Sequence, residues 1–319
     1  MNEHIQPSTV QAHYRDFFYP SLSNYPDLYF SIFPSYRADP NQPIAYICPL
    51  CLQNGFISTT EMAIEWTSDF SSDHYPPANV GGTREILVCK KCNNDAGGRY
   101  ENELVKQMSI RSHKKEIPGA TLDVRSIIRN VKGNYKIQIN ILDDGKHGIS
   151  FKPNEKSKVP PLDKWLEDSK SNFDWSIEIT VTNADEQKVS KAMLKAAYLF
   201  CFEKWGYEFV LSNTGKNIRD VLKGNKNFPL KMPPLWLTDS LNEVILNPGV
   251  YWLSQPDSWH KFIVVMELTD LKTGYKDTIG IIIPGPEVKE WDDLTRIQDI
   301  LDVEQENVLA FSEVPGSYN

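Results

Sequence analysis

Four of the five cysteines fall into two C-x-x-C pairs, Cys48/Cys51 in "CPLC" and Cys89/Cys92 in "CKKC". No other feature constrains the fold as strongly. Each pair forms a tight knuckle that presents two sulfurs, and two knuckles complete the tetrahedral thiolate shell usual for structural zinc. The long interval between the pairs must then be folded back on itself. The opening "MNEHIQPSTVQAHYRDFF" lacks a basic start followed by an apolar core, so no secretory leader is expected and a cytoplasmic location is. In a reducing compartment this cysteine pattern reads as a metal site rather than as disulfides. A closed four-sulfur zinc site has no open position, so the ion is expected to be structural. The odd cysteine, Cys201 in "AAYLFCFEKW", sits among apolar residues and reads as a buried small hydrophobe.

The chain of 319 residues is 40% hydrophobic and 24% charged, which is globular composition and enough for about two domains. No apolar run approaches the roughly 18–20 residues that span a bilayer, so no membrane partner is expected. A net charge of −8 argues against non-specific coating of nucleic acid. The charge is uneven, however: Arg84 to Lys136 holds 12 Lys and Arg against 6 Asp and Glu, the footprint of a local basic surface. An equally ordinary reading makes these charges solvated faces.

Three stretches divide the chain. Residues 1–43 are rich in Pro, Tyr and Phe and predict an arm that packs on the body rather than a long helix. Residues 44–115 hold the cysteine pairs, a short strand in "REILVC", and a helix from about Tyr100 with Leu104, Met108 and Ile110 as apolar positions. Residues 116–319 alternate: "TLDVRSIIRN", "NYKIQINIL", "HGISFK", "DWSIEITVT", "KFIVVMELT" and "KDTIGIIIPG" predict strands. A helix near residues 185–205 interrupts them. Its Val189, Ala192, Met193, Ala196, Ala197 and Phe200 recur at helical spacing and predict a core element, with Gly206 placed to stop it. The expected class is α+β, with a mixed antiparallel sheet and helix domain following the cysteine module.

Between the cysteine pairs lies "SSDHYPPANVGG", residues 71–82. Phosphodiester hydrolysis needs a base for water, a cation on the phosphate and relief for the leaving oxygen. A histidine is suited to the first task, and a hard divalent cation prefers carboxylate and amide oxygens. Neighbours on a strand point to opposite sides, so Asp73 and His74 can cooperate only where the strand ends.

Taken together, "CPLC…DHYPPANVGG…LVCKKCNNDAGG" resembles the zinc-stabilised members of the HNH endonuclease family, of the ββα-metal (His-Me finger) superfamily. The resemblance covers about residues 46–104. It implies a ββα-metal module, with His74 as general base and Asp73 and Asn93 as ligands of a catalytic Mg²⁺ or Mn²⁺. Cys48, Cys51, Cys89 and Cys92 are the expected ligands of a structural zinc. Asn94 and Asp95 are alternatives to Asn93. The sequence departs from the family at the asparagine that orients the base. That position falls near Thr83–Glu85, where a backbone carbonyl, Glu85 or Asn79 would have to hold His74. The remaining histidines, His4, His13, His113, His147 and His260, read as structural or exposed, with His113 a further candidate for phosphate contact.

The expected activity is endonucleolytic cleavage of DNA rather than RNA, leaving 5′-phosphate ends, in a setting such as restriction or phage defence. The segment after residue 116 would select the substrate, a homo-oligomer or a regulatory partner. The competing expectation is a zinc-finger-like nucleic-acid-binding or scaffold protein without catalysis.

Overall fold

The computed structural model describes residues 45–57, 69–129, 135–153, 176–225, 235–236, 247–253, 261–285 and 311–312. The aromatic arm expected at 1–43, the loop after "HGISFK" and most of the acidic C-terminal segment lie outside these residues.

Two hairpins carry the cysteines. Strands β1 (Ala45–Ile47) and β2 (Gly55–Ile57) pair antiparallel, and Cys48 follows directly on β1. Strands β3 (Phe70–His74) and β4 (Glu85–Cys89) form the second hairpin, with Phe70 opposite Cys89 and His74 opposite Glu85. Its loop contains a single 3₁₀ turn, Ala78–Val80. Helix α1 (Lys90–Ala96) leaves β4 at Cys89, passes through a wide π-type turn at Gly97–Glu101, and continues as α2 (Asn102–Lys114). The helical run thus begins ten residues before the expected Tyr100. Paired glycines and "NND" read as loop in sequence, but Gly97 has ordinary right-handed helical angles.

Strands β5 (Thr121–Arg129), β6 (Tyr135–Ile141), β7 (His147–Pro153) and β8 (Ser176–Val181) make an antiparallel sheet in the order β7-β6-β5-β8. Asp185 then caps α3 (Glu186–Leu211) by accepting a bond from the Lys188 amide. The helix does not end at Gly206. This residue takes φ 59° and ψ −141°, a conformation only glycine adopts at low cost, and the chain kinks there and resumes as helix. Ser212 caps α4 (Asn213–Lys223), which Gly224 closes. A second antiparallel sheet follows, in the order β13-β10-β11-β12-β9. It comprises β9 (Leu235–Trp236), β10 (Gly249–Leu253), β11 (Lys261–Thr269), β12 (Lys276–Pro284) and β13 (Phe311–Ser312). The class is α+β with antiparallel sheets.

Helix α3 lies at the centre. Its Ala192, Met193, Ala197, Leu199 and Phe202 are buried in one continuous core. That core includes Tyr46 and Val88 of the cysteine hairpins as well as Val264, Met266, Ile281 and Ile283 of the second sheet. The described residues of the cysteine hairpins, of α3 and of the second sheet therefore share a core. No described helix is long and apolar enough to cross a membrane.

Candidate functional site

The four cysteines converge. Cys48 and Cys51 occupy the turn between β1 and β2, Cys89 ends β4, and Cys92 lies in the first turn of α1. Their sulfurs all lie within 4.8 Å of one another, with Cys51 Sγ 3.9 Å from Cys89 Sγ. Metal–sulfur bonds of about 2.3 Å give a tetrahedron with edges of about 3.8 Å, so this cluster is of the size that can hold a metal such as zinc. Backbone amides point at the sulfurs: Gln53 N is 3.4 Å from Cys51 Sγ, and Cys89 N is 3.4 Å from Cys48 Sγ. Such donors favour thiolates and orient them. The hydrogen bond from Cys48 draws the Cys89 thiol down to about 6, while contacts with Cys51 and Cys89 push Cys48 up. Thiols packed this closely cannot all ionise unless a cation compensates them.

Helix α3 anchors the first knuckle. Tyr198 Oη donates to the Pro49 carbonyl at 2.7 Å, and Tyr207 Oη donates to the Ile47 carbonyl and accepts from the Ile47 amide. Cys201 is fully buried in the same helix, and burial raises its thiol pKa well above the ordinary value.

Alternation along β3 sorts the remaining candidates onto two faces. Ser72 and His74 share one face with Glu85 of β4. Glu85 Oε1 is 2.9 Å from His74 Nε2, and Ser72 Oγ donates to Glu85 Oε2 at 2.6 Å. Both His74 and Glu85 are about one-third exposed, at 33% and 32%. The Glu85 carboxylate thus lies beside Nε2, with Nδ1 on the other side of the ring. The exposed Arg84 stands beside this face, its guanidinium stacked over the Phe200 ring at 4.8 Å and paired with Glu203 at 2.6 Å.

Ser71 and Asp73 point to the other face. Asn93 in α1 donates its Nδ2 to Ser71 Oγ at 3.1 Å and to the Ser72 carbonyl at 3.0 Å, which leaves its Oδ1 as an acceptor. Asp73 is only 4% exposed, and Lys195 Nζ of α3 lies 2.5 Å from its Oδ2. The same ammonium is 2.6 Å from Glu101 Oε1 in the π-type turn. Burial raises the Asp73 carboxyl pKa, opposed by Lys195 and more weakly by His74. Removing one member of such a buried ionic group typically costs about 3–5 kcal/mol, because a charge is left uncompensated.

The structure thus brings Asn93 and the strand bearing Asp73 together, and sets His74 on the opposite face at the strand's end. Of the alternatives to Asn93, Asn94 is exposed and Asp95 pairs with Arg99 at 3.6 Å. Among the groups considered for holding His74, Glu85 is the one in contact. Ser72, Glu101 and Lys195 were not singled out from sequence. The available signal for Lys195 was a lone lysine in the apolar run "AMLKAAYLF". His113 packs against His147 with ring centroids 5.6 Å apart, and burial lowers the His113 pKa.

Compared with known proteins, the chain matches no protein-family profile, no curated protein and no solved structure.

Proposed function

We propose that the chain is a metal-dependent endonuclease of the HNH type that hydrolyses DNA phosphodiester bonds, with zinc held by Cys48, Cys51, Cys89 and Cys92. The observation that carries the reading is His74, one-third exposed at the end of β3, with Glu85 against its Nε2. An imidazole held beside solvent by a carboxylate suits a general base for water. The order of hairpin then helix, closed at both ends by cysteine pairs, supports it further.

In this reading Nδ1 of His74 takes a proton from water as the water oxygen attacks phosphorus. The bond to the 3′ oxygen breaks, leaving a 3′-hydroxyl after protonation by solvent and a 5′-phosphate. Glu85 keeps the ring in position and stabilises the imidazolium. Asp73 and the Oδ1 of Asn93 are the oxygen donors that would hold Mg²⁺ or Mn²⁺, which supplies charge compensation on the phosphate and the leaving oxygen. The exposed Lys90, Lys91 and Arg99 offer positive charge around α1 for the DNA backbone.

A second reading has a specific observation in its favour. The Asp73 carboxylate is buried and already paired with Lys195, which suits a zinc-stapled binding or scaffold protein. Plasmid nicking separates the two. The nuclease reading expects nicking by the purified protein with Mg²⁺ or Mn²⁺, none with EDTA, and none by His74→Ala at unchanged zinc content. Nicking by His74→Ala at the parental rate removes His74 as the base. No nicking with any divalent cation leaves the binding protein.

A further inference from the structure

Three chain segments far apart in sequence meet at one buried ammonium. Lys195 of α3 is 1% exposed, and its Nζ lies 2.5 Å from Asp73 Oδ2 of β3 and 2.6 Å from Glu101 Oε1 of the π-type turn. A charge so buried needs partners, and the ammonium sits where two carboxylate oxygens converge.

Two convergent carboxylate oxygens are also a common setting for a hard divalent cation. The helix supports this arrangement locally. α1 and α2 are continuous apart from the π-type turn Gly97–Glu101, whose wider winding ends at Glu101, and such turns recur at functional sites. Asn93, with its Oδ1 uncommitted among the described contacts, lies on the same side of β3 as Asp73.

We propose that Lys195 and a divalent cation compete for one position between Asp73 and Glu101, so that the lysine sets how readily the site loads metal. This deepens the nuclease reading and rests on it for its biological meaning, but the competition itself is a statement about binding. Loading requires the ammonium to leave Asp73. Apparent affinity for the cation falls by the fraction of molecules in which the carboxylate is released.

The test is Mn²⁺ binding to the zinc-loaded full chain, followed by electron paramagnetic resonance of free Mn²⁺ and by melting with and without Mn²⁺. Lys195→Met keeps the length of the side chain and removes its charge. The variant is expected to bind Mn²⁺ at least tenfold more tightly than the parent, and Asp73→Asn added to it should abolish the gain. Affinity that rises less than tenfold overturns the proposal, and so does a gain that survives Asp73→Asn. If Lys195→Met does not fold alone, recovery of the native circular dichroism with Mn²⁺ supports the competition, and failure to recover it overturns it. Cleavage is not read in this experiment. A gain in Mn²⁺ affinity in a chain that never nicks DNA keeps the competition and discards the nuclease, and the converse result does the opposite.

Discussion

Glu85 faces His74 directly across the β3–β4 ladder, and Ser72, two residues before His74 on the same face, holds its second oxygen. Each oxygen of the carboxylate therefore has one fixed partner, and the imidazole inherits that rigidity. Glu85→Gln retains the shape but removes the charge that stabilises a protonated ring. If His74 is the base, kcat for nicking should fall about 10²-fold or more with KM for DNA nearly unchanged, since general-base contributions run to about 10²–10⁴. The His74→Ala/Glu85→Gln double variant should be no slower than His74→Ala alone, because the two act as one unit. Additive losses in steady-state nicking assays would detach Glu85 from the base. Glu85 was accessible to sequence reasoning as one of three groups near the missing asparagine, but the choice needed the strand register. Lys195 was hidden for a different reason. Helical periodicity assigns a residue to a buried face without saying which buried lysine finds carboxylates there, and both partners arrive from more than ninety residues away.

The loop of the β3–β4 hairpin shows how an element fixes a side chain. Gly82 passes so close to the prolines that an added Cβ would lie 1.6 Å from the Pro76 carbonyl oxygen. Gly81 has φ +84° and abuts Thr269 of β11. These contacts seat the loop against the second sheet and fix the point where β3 ends at His74. Gly82→Ala must push the backbone at Pro76 away. It should destabilise the protein by about 1–3 kcal/mol, as overpacking does, and lower nicking further than the melting temperature alone accounts for. Gly98→Ala is the matched control, since nothing lies within 4 Å of its added carbon. Equal effects of the two substitutions, by differential scanning calorimetry and nicking, would refute the role of the close approach. At this scale much was legible. All six strands predicted after residue 116 are present, because alternating β-branched runs between turn residues leave little choice of structure. The start of α1 was not legible: local propensity disfavours "NNDAGG" as helix, and the position of Cys92 in the cysteine cluster coincides with its first turn.

At the scale of the whole molecule, the cysteine cluster and the second sheet are ends of one packed body. Tyr198 and Tyr207 tie α3 to the first knuckle, while Arg111 of α2 pairs with the buried Asp277 of β12 at 2.5 Å and stacks over Trp236 at 3.9 Å. The core itself runs unbroken from Tyr46 to Ile283. Two linked consequences can be measured. If zinc fills the cluster, the purified chain should carry one zinc per molecule by plasma mass spectrometry, and Cys89→Ser should lose it, whereas Cys201→Ala should retain it. Metal removal should also be felt across the described fold, since binding free energy of a structural site is folding free energy and no separate core is found among the described residues to absorb the loss. A strong chelator should therefore lower the melting temperature of a single cooperative transition, with near-ultraviolet signals from the tyrosines of α3 and from Trp252 against Phe262 falling together. A chelated protein that melts in two steps, with the second-sheet signal unmoved, would show that the staple serves only its own hairpins. A metal-free preparation with unchanged melting would remove zinc from the fold altogether.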